Sequence, residues 1–282
     1  MAAGARQIIE EWLAPQLIAR QGHPLILGLC GAQGSGKSTV AASLTQRLAA
    51  AGVKSATLSL DDLYLTKGQR AQLGRDVHPL LVTRGVPGTH DVALGIRTLD
   101  AIRKGEPATL PRFDKSRDDR EPEAAWVRVA AGLQVLIFEG WCVGAMPQRQ
   151  TDLLVPINDL ERREDADALW RTYVNEALAG PYQALFARLD RLVLLAAPGF
   201  EIVQRWRGEQ EAELRRAAPG AAGVMEDAAL RRFIEHYERL TRHILQEMPS
   251  RADLVMRLSP EREVIGVDRR VSAGASGCRP AV

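Results

Sequence analysis

Short, nearly unbroken apolar runs alternate along this chain with longer stretches in which apolar residues recur every three or four positions. The runs at 25–30, 134–138, 191–196 and 253–258 suit strands covered on both faces of a parallel sheet, and Val53–Leu60 supplies a further strand. Helical spacing joins Ile8, Ile9, Trp12, Leu13 and Leu17, giving an opening helix over about 5–20. A second helix runs from Lys37 to about Ala51, where Gly52 stops it. Asp91 caps a third from Val92 to Lys104, with Leu94, Ile96, Leu99 and Ile102 on its apolar side. One helix is expected from Asp159 or Leu160 through Trp170, Tyr173 and Ala177 to the break at Gly180-Pro181. Two more run from about Phe200 to Arg216 and along Leu230, Phe233, Ile234, Tyr237, Leu240 and Ile244 to Pro249. The segments 66–90 and 111–122 read as irregular loops. Strands alternating with helices predict an α/β fold, a three-layer doubly wound parallel sheet in one domain over 1–267. Residues 268–282 are small, polar and basic, and are expected to form a disordered tail.

Composition alters this little. With 46% apolar and 26% charged residues, 282 residues are enough for a large core. A net charge of +2 gives no reason to expect a nucleic-acid partner. Cys30, Cys142 and Cys278 show neither disulfide nor zinc spacing. The start carries Glu10 and Glu11 where a signal peptide needs an apolar run, and no stretch approaches a membrane span, so a cytoplasmic protein is expected.

One stretch carries specific chemistry. Gly31, Ala32, Gln33, Gly34, Ser35, Gly36, Lys37, Ser38 and Thr39 fit the phosphate-binding pattern G-x-x-x-x-G-K-S/T. An apolar strand precedes it and a helix follows, as the motif requires. The glycines let successive N–H groups face an anion, and the helix adds its positive end. Lys37 is placed to reach the β- and γ-phosphates of a nucleotide, taken to be ATP, and Ser38 to ligate Mg²⁺. The bland alternative is a glycine-rich turn that binds nothing.

Other positions narrow the class. There is no Asn-Lys-x-Asp run for guanine recognition and no Asp-x-x-Gly switch after a later strand. A small-molecule kinase needs a carboxylate to take the acceptor proton, cations for the transferring phosphoryl group, and a cover against water. Asp61 follows the second strand, expected beside the phosphate loop, and is the candidate base; the alternative is a polar strand cap. Glu139 ends Val-Leu-Ile-Phe-Glu like a carboxylate aimed at Mg²⁺, or is a surface glutamate. Arg205 and Arg207, in a region over 199–220, could form a helical lid over the phosphates or a solvated helix face. The loops Arg84–Asp91 and Arg112–Ser116 carry the cations and carboxylates that a small anionic acceptor needs, or are solvated charged loops.

With these residues in view, the chain resembles the P-loop kinase group of uridine kinase, phosphoribulokinase and pantothenate kinase, and within it the D-glycerate 3-kinase family. The resemblance rests on Gly31–Ser38, Ser59–Thr66, Arg84–Asp91, Pro111–Ser116, Phe138–Trp141 and Gln204–Arg207, in order over about residues 25–265. Leu63 departs from it, since relatives more often carry Phe there. The resemblance implies a P-loop kinase fold with a helical lid, ATP and Mg²⁺ as cofactors, and phosphorylation of a small hydroxy acid such as D-glycerate at its 3-hydroxyl. It implies Asp61 and Lys37 as catalytic residues, Ser38 and Glu139 as metal ligands, and Arg205 and Arg207 as lid residues of the ATP site. It further implies that Asp61, Tyr64, Arg84, His90, Asp91, Arg112, Asp114 and Lys115 contact the acceptor. The alternatives are a kinase of the same group acting on a nucleoside or pantothenate, or a nucleotide-dependent regulatory protein with no small acceptor.

Overall fold

The computed structural model describes residues 2–20, 23–217 and 227–270. In chain order the elements are α1 (Ala2–Ala19), β1 (Leu25–Gly31), α2 (Lys37–Ala50), β2 (Ser55–Ser59), α3 (Lys67–Asp76), α4 (Val92–Arg103), β3 (Ala108–Leu110), β4 (Phe113–Asp114), β5 (Asp119–Arg120), β6 (Val127–Val129), β7 (Val135–Gly140), α5 (Asp159–Glu164), α6 (Leu169–Ala177), α7 (Gln183–Phe186), β8 (Arg191–Ala196), α8 (Glu201–Ala217), α9 (Asp227–Glu247), β9 (Leu254–Leu258) and β10 (Val264–Arg269). Six strands form the main sheet in the order β10-β9-β8-β1-β7-β2. All neighbours run parallel except β10, which turns back on β9. Such a sheet, with helices on both faces, is the doubly wound class that the apolar runs predict.

Alternation along the strands divides the core in two. Ile26, Cys30, Leu136, Phe138, Leu192 and Leu194 pack with Leu99 and Ile102 of α4, Leu185 of α7 and Leu240 of α9. Leu25, Leu27, Leu29, Val135, Ile137, Val193 and Leu195 pack with Ile9 of α1, Leu44 of α2 and Trp206 of α8. Register then sets the site. Glu139 lies opposite both Leu29 of β1 and Ser59 of β2, so three strands finish level at one edge. Strand β1 lies between β8 and β7, with β2 beyond β7, so Asp61 enters from the sheet's edge strand rather than from a neighbour of the phosphate-loop strand.

Several elements depart from the apolar pattern. Helix α3 lies within the stretch expected to be irregular. Thr66 and Gln69 cap it reciprocally, and its buried residue is Arg70, 1% exposed, which periodicity does not count as apolar. The helix expected over 159–177 is two. The buried Asp165 accepts N–H groups from Trp170 (2.7 Å) and Arg171 (3.2 Å), while Ala168 takes a left-handed conformation (φ 65°) that separates α5 from α6. Gly180-Pro181 does not end the helical path. Leu178–Tyr182 forms a wide π turn, in which the missing proline N–H costs little, and leads into α7. Within the charged loop β4 pairs with β5, and on either side of it β3 pairs with β6. Strand β10 occupies Val264–Arg269, so positions 268–269 of the expected tail are paired, and 271–282, with Cys278, lie outside the described residues. Cys30 and Cys142 are both buried free thiols. No helix among the described residues is long and apolar enough to cross a membrane.

Candidate active site

The site begins where β1 ends. Gly34 (φ 76°) and Gly36 (φ 84°) adopt left-handed conformations that L side chains rarely take. A Cβ on Gly34 would lie 2.5 Å from the Cβ of Trp206, so helix α8 rests directly on the loop. Helix α2 opens at Lys37 with no side-chain cap, and the space beside Gly36 is open. Its first N–H groups therefore face an anion site rather than a capping side chain. Ser38 donates its hydroxyl to Glu139 Oε1 at 2.9 Å. That contact follows from sheet parity, since Glu139 points to the same face as Val135 and Ile137, where α2 packs. Glu139 is 4% exposed and its Oε2 has no partner; the buried Gln33 Oε1 and Ser35 Oγ also lack one. Buried polar atoms left unmatched around one loop suit a polar, charged occupant, and a hydroxyl with a carboxylate is a hard oxygen donor set for Mg²⁺. A cavity of about 270 Å³ adjoins the loop, lined by Ala5, Thr39, Glu209, Gln210, Leu258 and Arg262 among others.

Asp61 stands in the 3₁₀ turn Leu60–Leu63 that follows β2. Its Oδ1 accepts from the Tyr64 hydroxyl at 2.8 Å, and its Oδ2 meets Lys115 Nζ at 2.7 Å. Burial alone would push this carboxyl up, but the Lys115 and Lys37 charges and both hydrogen bonds hold it well below the ordinary carboxylate range. Asp62, which sequence reasoning passed over, anchors the 111–116 loop by accepting from Arg112 Nη1 (3.0 Å) and Phe113 N (3.2 Å). Burial raises its pKa despite Arg112.

The remaining loop residues divide between pocket and scaffold. His90 is buried, stacks on Tyr64 at 4.6 Å between centroids, and shares its Nδ1 with the Tyr182 hydroxyl at 2.5 Å. Burial pushes its pKa down to about 3, with Asp61 opposing. Arg84 pairs with Asp118 and lies over the Phe113 ring at 5.7 Å. Asp91 caps α4 through Leu94 N (2.9 Å) and pairs with Arg120 at 3.2 Å. Asp114 closes its own turn through Ser116 and Arg117, whose hydrogen bonds depress its pKa. Arg112, Asp91 and Asp114 thus hold the loops in shape, while Asp61, Tyr64, His90 and Lys115 form one connected group.

Helix α8 brings the expected lid arginines near the loop, facing differently. Arg205 is exposed and pairs with Glu209 (3.0 Å) and Glu261 (3.4 Å). Arg207 bonds Gln210 at 3.0 Å and lies over the Phe233 ring at 5.8 Å. Residues 218–220 of the expected lid lie outside the described residues. Sequence reasoning missed Arg262, whose Nε donates to Gly34 O at 2.6 Å, and Tyr237 of α9, whose hydroxyl donates to Arg84 O at 3.0 Å. No motif marks Arg262. Tyr237 sits on an apolar stripe and reads as core; only the glycine at position 85, where a Cβ would fall 1.9 Å from the tyrosine oxygen, hints at its approach.

Comparison with known proteins agrees with this geometry. The model of the phosphoribulokinase/uridine kinase family matches residues 26–155. An uncharacterized kinase of Schizosaccharomyces pombe is 37% identical over 228 residues, covering 77% of this chain and 79% of that protein. A chloroplastic D-glycerate 3-kinase of Arabidopsis thaliana is 32% identical over 244 residues, 82% of this chain; the chain spans 50% of that protein's length. Among solved structures, a D-glycerate 3-kinase from Cryptococcus neoformans superposes with a TM-score of 0.78 at 26% identity, covering 94% of this chain and 99% of that one. The chain belongs to the phosphoribulokinase/uridine kinase family of P-loop kinases, and is an enzyme that binds a nucleotide and phosphorylates a small molecule.

Proposed function

We propose that this kinase transfers the γ-phosphoryl group of ATP to the 3-hydroxyl of D-glycerate, in one catalytic domain of a cytoplasmic protein that needs no nucleic-acid partner. The observation that carries it is the Asp61–Lys115 pair, a carboxylate and a cation together at the strand edge and within the field of Lys37. A hydroxyl needs the first and an acceptor carboxylate the second. The names of the Arabidopsis and Cryptococcus relatives point the same way.

In this scheme the loop N–H groups and Lys37 bind the phosphates, and the base occupies the cavity lined by Thr39, Gln210, Leu258 and Arg262. Ser38 and Glu139 would hold Mg²⁺, which in such kinases offsets phosphate charge. Asp61 orients the acceptor hydroxyl and takes its proton as the new P–O bond forms and ADP leaves. Tyr64 fixes the carboxylate's orientation and His90, neutral, backs Tyr64. Arg84 and Lys115 are the cations for the acceptor carboxylate, and α8, with Arg205 and Arg207, covers the nucleotide.

Incubation with ATP and Mg²⁺, followed by ³¹P NMR, gives 3-phosphoglycerate from D-glycerate and no product from uridine or pantothenate. Product from either of those instead would overturn the acceptor assignment. Asp61→Asn lowers kcat by ~10² or more with ATP affinity nearly intact, and an unchanged kcat removes Asp61 from this role.

A further inference from the structure

The catalytic carboxylate is held by donors at both of its oxygens. Lys115 Nζ lies 2.7 Å from Asp61 Oδ2, and the Tyr64 hydroxyl occupies Oδ1. A base in that position keeps its electrons turned toward an ammonium rather than an incoming hydroxyl.

The two donors differ in how easily they leave. Tyr64 is buried and stacked on His90. The Lys115 side chain is 62% exposed, while the backbone around it is fastened. Asp114 Oδ1 accepts from Ser116 N at 2.8 Å and from Ser116 Oγ at 2.6 Å on one side, and Asp62 accepts from Phe113 N on the other. A fixed backbone carrying a loose ammonium can change partners without refolding the loop. The guanidinium groups nearby are committed elsewhere and more enclosed. Arg112 is on Asp62, Arg70 and Arg84 are on Asp118, and Arg120 is on Asp91. None of those carboxylates is the proposed base.

We propose that Lys115 is a latch on the base, opened by the acceptor's own negative charge. This rests on Asp61 being the base, the assignment made above. An acceptor with a carboxylate offers the ammonium a second anion and draws it from Asp61 Oδ2. The freed carboxylate takes the hydroxyl proton, the hydroxyl oxygen bonds the γ-phosphorus, and the bridging bond to the β-phosphate breaks to release ADP. A neutral alcohol, or water, offers no anion and leaves the pair closed. Lys115 therefore sets specificity twice, by selecting charged acceptors and by suppressing hydrolysis of ATP.

The test compares Lys115→Met and Lys115→Arg with the full-length wild type, measuring ADP release without acceptor and kcat/KM for D-glycerate and glycerol. In the methionine variant, acceptor-free hydrolysis rises at least fivefold and the glycerate-to-glycerol preference contracts at least tenfold. The arginine variant keeps low hydrolysis and recovers most of the preference, which a merely structural lysine does not predict. Equal losses on both acceptors with hydrolysis unraised overturn the latch, and if D-glycerate is still turned over the proposed function survives. A wild type inert toward D-glycerate, with hydrolysis still raised in the methionine variant, fails the acceptor assignment and supports the latch.

Discussion

Replacing Glu139 by glutamine separates the two reasons a buried carboxylate can stand at the end of β7. If it is there to hold the Ser38 hydroxyl, glutamine keeps that 2.9 Å contact and changes little. If it is there for a cation, the unliganded protein carries a cost, because Oε2 is buried with no partner in a residue 4% exposed. A buried, unsatisfied polar atom costs about 1–3 kcal/mol, more when charged, and the neutral amide bears less of it. Glutamine should then stabilise the unliganded protein by about 1–2 kcal/mol, which at about 2–4 °C per kcal/mol raises Tm by about 2–8 °C. Nucleotide should act in the opposite sense. Saturating ligand at 100 times its Kd contributes about 2.7 kcal/mol, and a tenfold weaker complex forfeits about 1.4 kcal/mol of it. Differential scanning fluorimetry with and without ATP and Mg²⁺ reads both effects. The variant should melt higher alone, gain less from ligand, and lose ~10²-fold or more in kcat. A variant that melts lower alone and gains as much from ligand would refute the cation role and leave Glu139 as the partner of Ser38.

Two further outcomes follow from the geometry. Gly85→Ala must put a Cβ 1.9 Å from the Tyr237 oxygen at a backbone φ of 134°, so urea unfolding should show a loss of about 2–4 kcal/mol and the acceptor KM should rise through Arg84; wild-type values for both would show that the loop and α9 part freely. Burial depresses His90 to about 3 and His236 to about 4, below the ordinary 6.5, so the unfolded chain binds protons that the fold excludes. Their stabilisation is complete above pH 6.5 and falls as pH drops toward those values, by about 1.4 kcal/mol per unit for each imidazole. Urea midpoints at pH 7 and pH 5 should differ accordingly, and His236→Gln should remove about half the difference; a flat profile would mean that neither ring is held neutral inside the fold.

The parts of this molecule that could be foreseen are those whose physics is local. The P-loop needs left-handed glycines and a helix start within nine residues, so Gly34, Gly36 and Lys37 could be placed from the chain alone. The central strands were equally visible, because burial on both faces demands unbroken apolar runs. What stayed hidden depends on charges that find each other across the chain. Arg70 pins α3 to the body by bonding Leu65 O, Val82 O and Asp118, and no periodicity of apolar residues could show it. Asp165 divides a helix by capping residues five and six positions ahead and pairing with Arg171. The order β1-β7-β2 was likewise not local information, and only the structure puts Asp61 just past the edge strand.

The same physics explains why so many charged residues in the loops 84–91 and 112–116 pair with one another. A pocket for a small anion must keep several cations in fixed positions while it is empty, and unpaired cations would repel one another and unfold the loop. Asp62 and Asp91 answer this by each pairing with one arginine, and Asp118 by pairing with two, which fastens the loops. Asp114 does so for its own turn. Rigidity obtained this way leaves Lys115, 62% exposed, paired with Asp61, the proposed base. The arginine pairs fix the shape of the loops, and the lysine pair, looser and more solvated, is the part that the proposed acceptor would rearrange.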